Sequence, residues 1–198
     1  MKKILIIFGH PRFENSKVHT TLLKAASGLE NVTIEDLYEK YPNFNINVAH
    51  QQQLLLEHDI IILQHPVYWY SCPPIIKQWI DLVLTYGWAY GVGGNKLEGK
   101  VMLNVVSTGG STTAYTKEGS HQHTLLEFFL PFKQTAMLCK LMYLPPFAVQ
   151  GSHRLTEVEL NQIGVQYQQI LQMMQNDTIN ASIDFSNNAL LNDFITNK

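Results

Sequence analysis

Short apolar segments that are typical of buried strands alternate with segments of helical periodicity along most of this chain. The predicted strands are Lys3–Phe8, Val32–Leu37, Asp59–Gln64, Lys100–Ser107 and Phe147–Gln150. The predicted helices are Lys17–Leu29, Val48–Glu57, Ile75–Thr85, a stretch over Leu125–Leu141 that Pro131 interrupts, and Thr156–Met174, which opens on a Thr156/Glu159 capping box. Such alternation indicates parallel strands covered by helices on both faces. We therefore expect a three-layer α/β fold whose five-stranded parallel sheet has the order 2-1-3-4-5.

The size and composition predict one domain. The chain has 198 residues, of which 45% are hydrophobic and 15% charged, enough for one well-filled core. We place this domain at residues 1–175 and a polar, asparagine-rich tail at 176–198. The tail keeps some apolar residues, namely Phe185, Leu190, Leu191, Phe194 and Ile195. It either docks on its own domain or on a partner subunit, or it is a frayed terminus.

Charge and cysteine content exclude several classes of protein. The net charge of -2 gives no reason to expect binding to nucleic acid or to an anionic membrane surface. Cys72 and Cys139 are too few for a disulfide framework and fit a reducing compartment. No apolar run approaches the roughly 20 residues of a membrane span, and no small-residue cleavage site follows the N-terminal apolar stretch. We therefore expect a cytoplasmic protein without a nucleic-acid partner.

The loop after the first strand, Gly9–His19, has the residues of a phosphate site. Asn15 and Ser16 stand where the first helix begins, and the free N–H groups and dipole of a helix N-terminus attract anions. Lys17 and His19 add positive charge or hydrogen bonds. Ser16 as a plain helix cap is the alternative.

The loop after the third strand is rich in aromatic residues. Asp59–Gln64 is followed by His65, Pro66 and the run Val67–Tyr70, and Pro73-Pro74 then opens the next helix. Ligands of open α/β sheets bind at this carboxyl edge, and a stiff aromatic loop can lie along a planar heterocycle. The segment therefore indicates a seat for a flavin, with core or surface aromatics as the alternative.

The loop after the fourth strand, Ser107–Tyr115, combines hydroxyl groups with Gly109 and Gly110. Glycines let backbone N–H groups approach a ligand closely because no Cβ stands in the way. By itself this segment reads equally well as a flexible loop. Its predicted position at the same sheet edge as the other two loops favours a shared site.

Six motifs appear in a definite order along the chain. They are His10-Pro11 with Ser16, Gln64–Ser71, Trp79–Asp81, Gly87–Gly91, Ser107–Gly110 and Leu144–Phe147. The series resembles the flavodoxin-like NAD(P)H:quinone oxidoreductases. Within them it is most similar to the bacterial ancillary oxidoreductases of glutathione-regulated potassium-efflux systems. The resemblance runs from the first strand through the last helix and leaves the tail uncovered.

This resemblance implies a homodimer that binds FMN, with FAD used by the longer eukaryotic relatives, NAD(P)H as co-substrate and no metal. It implies that His10, Ser16, Lys17, Val18 and His19 contact the phosphate and ribityl end, that Pro66, Val67, Tyr68, Trp69 and Tyr70 line the isoalloxazine, and that Ser107, Thr108, Gly109 and Gly110 hydrogen-bond its pyrimidine edge. Tyr115 and His121 would be catalytic, near O2 of the ring. His19 replaces the Asn that relatives commonly carry, which affects the expected phosphate contacts.

The implied reaction is a two-electron, ping-pong hydride transfer from NAD(P)H through the flavin to a quinone. A tyrosine hydroxyl and a titratable histidine would stabilise the reduced cofactor's charge and relay a proton. Two other functions stay open. One is a regulatory flavoprotein that docks on a membrane potassium-efflux transporter, peripheral to the inner membrane, with incidental reductase activity. The other is a flavodoxin-type one-electron carrier, which the small net charge disfavours.

Overall fold

The computed structural model describes residues 1–178 and 190–194. The strands are β1 Ile4–Phe8, β2 Val32–Asp36, β3 Ile60–Pro66, β4 Val101–Ser107, β5 Met142–Tyr143 and β6 Phe147–Val149. The helices are α1 Lys17–Ser27, α2 Leu37–Lys40, α3 Val48–Glu57, α4 Pro74–Val83, α5 Leu125–Phe128, α6 Leu130–Leu138 and α7 Glu157–Gln175. Short 3-10 turns lie at Phe13–Asn15, Thr112–Tyr115 and Leu191–Phe194.

The strands form one parallel sheet in the order β2-β1-β3-β4-β5, and β6 also pairs with β4. The predicted α/β fold and strand order are confirmed. The fifth position is shared by two segments: β5 pairs with the first residues of β4, and β6 pairs with its last three. Pro145 and Pro146 lie between the two segments, where their missing N–H groups do not interrupt a ladder.

Three predicted strands end at a different residue: β2 at Asp36, β3 at Pro66 and β6 at Val149. Strand β2 stops at Asp36 because the Asp36 carboxylate accepts hydrogen bonds from the N–H groups of Tyr38 and Glu39 and caps α2. Strand β3 continues past Gln64 to Pro66, because β4 pairs with it up to Ser107. The longer β3 carries the chain two residues further toward the carboxyl edge before the aromatic loop begins.

Each face of the sheet buries its own apolar core. On one face α1 and α7 pack on a core that includes Phe8, Phe147 and, from α7 itself, Tyr167. On the other, α3, α4 and α6 cover a core that includes Trp79 and Phe132. A Cβ at Gly164 of α7 would lie 3.0 Å from the Thr21 side chain of α1, so the glycine permits the close approach of these helices. That contact holds α1 with its N-terminus at the carboxyl edge.

A series of hydrogen bonds, which we call the α6 hydrogen-bond chain, links Tyr143, Asn104, His65 and the carbonyl of Pro66. The Tyr143 hydroxyl donates to Asn104 Oδ1 at 2.7 Å, and the Asn104 amide lies 3.1 Å from His65 Nε2. His65 Nδ1–H donates to the Pro66 carbonyl at 2.9 Å. Burial lowers the pKa of His65 to about 4, so this imidazole is neutral at pH 7.

The depressed pKa of His65 predicts acid sensitivity. In the unfolded chain a histidine takes up a proton near pH 6.5, while folded His65 does so near pH 4. Between these values the unfolded state binds the extra proton. The contribution of His65 to the free energy of unfolding is therefore fully present above pH 6.5 and falls by about 1.4 kcal/mol per pH unit toward pH 4. Urea unfolding at several pH values measures this slope.

His65→Gln removes the titrating group, so we expect a shallower slope in this variant even if its stability at pH 7 is lower. His123→Gln replaces a histidine whose side chain is 57% exposed and should keep the wild-type slope. Equal slopes in wild type and His65→Gln would contradict the assignment.

Residues 190–194 lie beside β6, with Leu190 packed against the core on the α3, α4 and α6 face and Leu191 and Phe194 in the core on the α1 and α7 face. Leu191 is buried there, Phe194 packs beside it, and the Ala148 N–H donates to Asn192 Oδ1 at 2.9 Å. Of the predicted apolar tail residues, Phe185 and Ile195 lie outside the described residues. Among the helices of residues 1–178 and 190–194, none combines the length and hydropathy needed to cross a membrane.

Candidate functional site

The loops after β1, β3 and β4 border one cleft at the carboxyl edge of the sheet. The cleft measures about 450 Å³, within the range of about 300–1,000 Å³ found for small-molecule sites. Nine of the predicted cofactor-binding residues line it: His10, Ser16, Lys17, Val18, Pro66, Val67, Tyr68, Ser107 and Gly109. The three loops that were expected to form a site do meet.

At one end of the cleft is the N-terminus of α1. Ser16 is its N-cap, and the Ser16 Oγ accepts the His19 N–H at 3.2 Å. The N–H groups of Lys17 and Val18, in the first turn, have no acceptor within the helix. With the helix dipole and the cationic side chain of Arg12, they make this end favourable for a phosphate group. No carboxylate is among the described residues that line the cleft.

His10 lies beside this helix terminus and is 8% exposed. Its Nδ1 accepts the Arg12 N–H at 3.1 Å. Burial lowers the pKa of His10, so the ring is neutral near pH 7 and carries its proton on Nε2. His10 thus offers the cleft an uncharged N–H donor.

The aromatic loop is a tight two-residue hairpin turn. Tyr68 and Ser71 exchange backbone hydrogen bonds of 3.1 and 3.0 Å. Between them, Trp69 and Tyr70 have φ angles of 50° and 64°, both in the left-handed region. Bulky residues rarely adopt this backbone, which costs about 1–3 kcal/mol at each position. Trp69 is 93% exposed, so packing within the described chain does not explain its presence.

Tyr70 belongs to an aromatic cluster beside the cleft. Its ring stacks on Phe128 with centroids 4.9 Å apart, and it meets His121 edge-on at 5.4 Å. The rings of Tyr115 and His121 are 4.5 Å apart. The two residues predicted to be catalytic are therefore neighbours, although neither lines the cleft as measured. Burial raises the pKa of Tyr115, which keeps its hydroxyl protonated at neutral pH.

The glycines of the third loop allow close approach of rings from the protein itself. A Cβ at Gly110 would lie 3.0 Å from the Tyr115 ring and 3.3 Å from His121 Nε2, and one at Gly109 would lie 3.3 Å from His153 Nε2. The Thr108 hydroxyl is turned away from the cleft and donates to the Gly110 carbonyl at 2.7 Å. Of this loop, Ser107 and Gly109 line the cleft, and the Thr108–Gly110 hydrogen bond holds the backbone in a defined shape.

His19 has a different position from the other predicted binding residues. Its side chain is fully buried beneath the cleft, where His19 Nε2 lies 3.0 Å from Ser107 Oγ. Burial holds the pKa of His19 well below its usual range, and the nearby His10 and His65 add to this effect. The ring is thus neutral and reaches the cleft through Ser107.

Sequence reasoning missed a fourth loop, which follows β6. Ser152, His153 and Leu155 line the cleft. The N–H of Gly151 donates to the Gly110 carbonyl at 2.8 Å, and the N–H of Ser152 donates to the Thr108 carbonyl at 2.9 Å. The signal was present, because Gly151 directly follows a predicted strand in the same way as Gly9 follows the first.

The family of the chain follows from comparison with known proteins. A family model described as a flavodoxin-like fold matches residues 2–171. The chain belongs to this flavodoxin-like family. A curated relative is the glutathione-regulated potassium-efflux system ancillary protein KefG of Cronobacter sakazakii, 41% identical over 169 residues that cover 85% of this chain and 92% of the relative. The resemblance drawn from the six motifs is confirmed.

Two solved structures share the fold and more than a third of the sequence. The general stress protein 14 of Treponema denticola, determined in complex with FMN, has a TM-score of 0.83 and 37% identity, covering 87% of this chain and 99% of that one. An NADPH-quinone reductase from P. pentosaceus has a TM-score of 0.78 and 37% identity, covering 85% and 96%.

The observed role of Ser16 as a helix cap and its predicted role as a phosphate ligand are separable by experiment. We expect Ser16→Ala to weaken FMN binding about three- to tenfold, because a hydroxyl donor to the ligand is lost along with the cap. Asn47→Ala removes the N-cap of α3, where Asn47 Oδ1 accepts the His50 N–H at 3.1 Å, and is the matched control.

Asn47→Ala should lower the stability by about 1 kcal/mol and leave the FMN dissociation constant unchanged. Fluorescence titration and thermal unfolding provide the two readouts. Unchanged FMN affinity in Ser16→Ala would reduce Ser16 to a helix cap.

Proposed function

We propose that this protein is an FMN-dependent NAD(P)H:quinone oxidoreductase. The observation that carries the proposal is the cleft itself, which has a phosphate-favouring helix terminus at one end and an aromatic turn with a glycine loop at the other. Relatives described as an FMN complex and as an NADPH-quinone reductase support it.

The residues of the cleft fit a flavin nucleotide. The N–H groups of Lys17 and Val18 and the side chain of Arg12 suit its phosphate. Gly109 of the third loop lines the cleft, where the absence of a side chain suits a flat ring lying against the backbone. His10, Ser16 and Ser107 offer uncharged donors between the two ends. Bound FMN supplies the hydride chemistry, and the protein supplies position and electrostatics.

Tyr115 and His121 are the proposed catalytic residues. The Tyr115 hydroxyl stays protonated and offers a proton toward the ring-binding end of the site. His121, whose ring is 4.5 Å from Tyr115 between centroids, is placed to exchange a proton with it or with substrate. Tyr68 of the aromatic turn lines the cleft, and Tyr70 packs against His121 beside it.

An anaerobic titration of FMN-reconstituted protein with NADPH tests the proposal. We expect the flavin's visible absorption to bleach rapidly and to return when a quinone is added. If FMN binds but neither NADPH nor NADH reduces it, the protein is not a reductase of this class. If FMN does not bind, the proposed cofactor site is wrong.

The catalytic assignment predicts a split between turnover and flavin binding. Tyr115→Phe and His121→Ala should each lower kcat by about 10- to 100-fold while FMN occupancy changes little, because they act on charge and proton transfer and not on the phosphate end. His123→Ala removes a more exposed histidine of the same segment and should keep the wild-type rate. Wild-type rates in both test variants would contradict the roles of Tyr115 and His121.

A second proposed role is regulatory, as an ancillary flavoprotein bound to a potassium-efflux transporter at the cytoplasmic side of the inner membrane. The 41% identity to KefG favours it.

We further propose a homodimer, which would cover apolar side chains that are exposed in one chain: Trp69, Leu130, Met137 and Leu138. Sedimentation equilibrium tests the dimer, and a monomer at micromolar concentration would contradict it.

A further inference from the structure

A second series of hydrogen bonds, which we call the α7 hydrogen-bond chain, runs from helix α7 through the interior to the cleft. The Tyr167 hydroxyl donates to Gln64 Oε1 at 3.0 Å, Gln64 Nε2 lies 3.4 Å from His19 Nδ1, and His19 Nε2 lies 3.0 Å from Ser107 Oγ. Tyr167, Gln64 and His19 are fully buried, whereas Ser107 lines the cleft. The chain therefore connects the helix layer to the ligand site without passing through solvent.

Such a chain can be polarised in two directions, which differ at Ser107. In the outward direction the Tyr167 hydroxyl donates to Gln64, the Gln64 amide to His19 Nδ1, and His19 Nε2–H to Ser107, so the Ser107 proton is left for the cleft. In the inward direction the Gln64 amide is turned over and His19 carries its proton on Nδ1. The Ser107 hydroxyl then donates to His19 Nε2 and offers the cleft only an acceptor.

The tyrosine end decides between the two directions. In the inward direction the Gln64 amide would donate to the Tyr167 oxygen, and the Tyr167 proton would need another acceptor. Within residues 1–178 and 190–194, Gln64 is the hydrogen-bond partner of this hydroxyl. Leaving a buried donor unsatisfied costs about 1–3 kcal/mol. The outward direction satisfies every group, in keeping with the absence of unpaired buried side-chain polar atoms in the described residues.

We propose that Tyr167, Gln64 and His19 are positioning residues that fix Ser107 as a hydrogen-bond donor to the ligand. The proposal rests on the proposed function, in which that ligand is a flavin nucleotide with oxygen and nitrogen acceptors. A serine hydroxyl by itself rotates and can donate or accept. Here the Ser107 oxygen accepts a hydrogen bond from His19 Nε2–H. The Ser107 O–H is therefore oriented before the ligand arrives, and less orientational freedom is lost on binding.

The α6 hydrogen-bond chain provides an internal comparison. It also begins at a tyrosine hydroxyl and passes through an amide and a histidine, but it ends on the backbone carbonyl of Pro66. A carbonyl has no proton to redirect, so removing the Tyr143 hydroxyl cannot convert a donor into an acceptor at the cleft. Tyr143→Phe is therefore the control for Tyr167→Phe, because each variant removes one tyrosine hydroxyl that donates to a side-chain amide oxygen.

Nitrogen-15 NMR of the apo protein tests the direction of the chain without any ligand. We expect His19 in the Nε2–H tautomer and His65 in the Nδ1–H tautomer. Tyr167→Phe should give mixed or reversed tautomers at His19 and leave His65 unchanged. A His19 ring with its proton on Nδ1 in the wild type, or an unaltered tautomer in Tyr167→Phe, would overturn the proposal.

A double-mutant cycle tests the link to the ligand, with FMN as the probe. Tyr167→Phe and Ser107→Ala should each raise the FMN dissociation constant about three- to tenfold, the value of one net hydrogen bond. Tyr167→Phe should have no further effect once Ser107 is alanine, and Tyr143→Phe should leave FMN affinity unchanged.

An equal effect of Tyr167→Phe in the presence and absence of the Ser107 hydroxyl would show that the tyrosine does not act through Ser107. Such a result would overturn the positioning role while the proposed function stands. Wild-type protein that binds no FMN would instead refute the proposed function and the ligand side of this inference. The tautomer measurement would still decide the direction of the chain in that case.

Discussion

The hydrogen bonds that β3 makes with β1 and β4 set the position of the whole site. Their registers place Phe8 beside Gln64 and Pro66 beside Ser107, so the chain leaves all three strands at nearly one level. Because helices cover both faces of the parallel sheet, its carboxyl edge is where a ligand can reach the strand ends. The phosphate-favouring helix terminus, the aromatic turn and the glycine loop are neighbours for this reason.

Polar residues inside β3 connect the core to that edge. Gln64 and His65 are adjacent in sequence, so the strand pleat sends them to opposite faces. Gln64 belongs to the α7 hydrogen-bond chain, and His65 belongs to the α6 hydrogen-bond chain. Burial keeps both His19 and His65 neutral, which makes each a relay with one donor and one acceptor nitrogen. The same burial that makes His65 a source of acid sensitivity makes the direction of hydrogen bonding definite.

Much of the fold and part of the site were predictable, because their signals are local. Apolar runs mark β1 and β4, and the Thr156/Glu159 capping box marks the start of α7, where the structure has both of its hydrogen bonds. The left-handed turn at Trp69 and Tyr70 was not predictable, because the sequence signal for such turns is Asn-Gly and not two aromatic residues. The division of the fifth position into β5 and β6 was not predictable either, because it depends on each segment pairing with a different part of β4.

The sequence by itself determined which segments become strands and helices and which loops carry polar and aromatic residues, because periodicity and capping act between residues a few positions apart. The tertiary structure decided which of these residues meet. Tyr167 and Gln64 are 103 positions apart, and His19 and Ser107 are 88 apart. Their hydrogen bonds exist because the sheet register and the packing of α1 against α7 bring these residues together in the buried interior. No local pattern records such a pairing, since each partner reads in sequence as an ordinary polar residue.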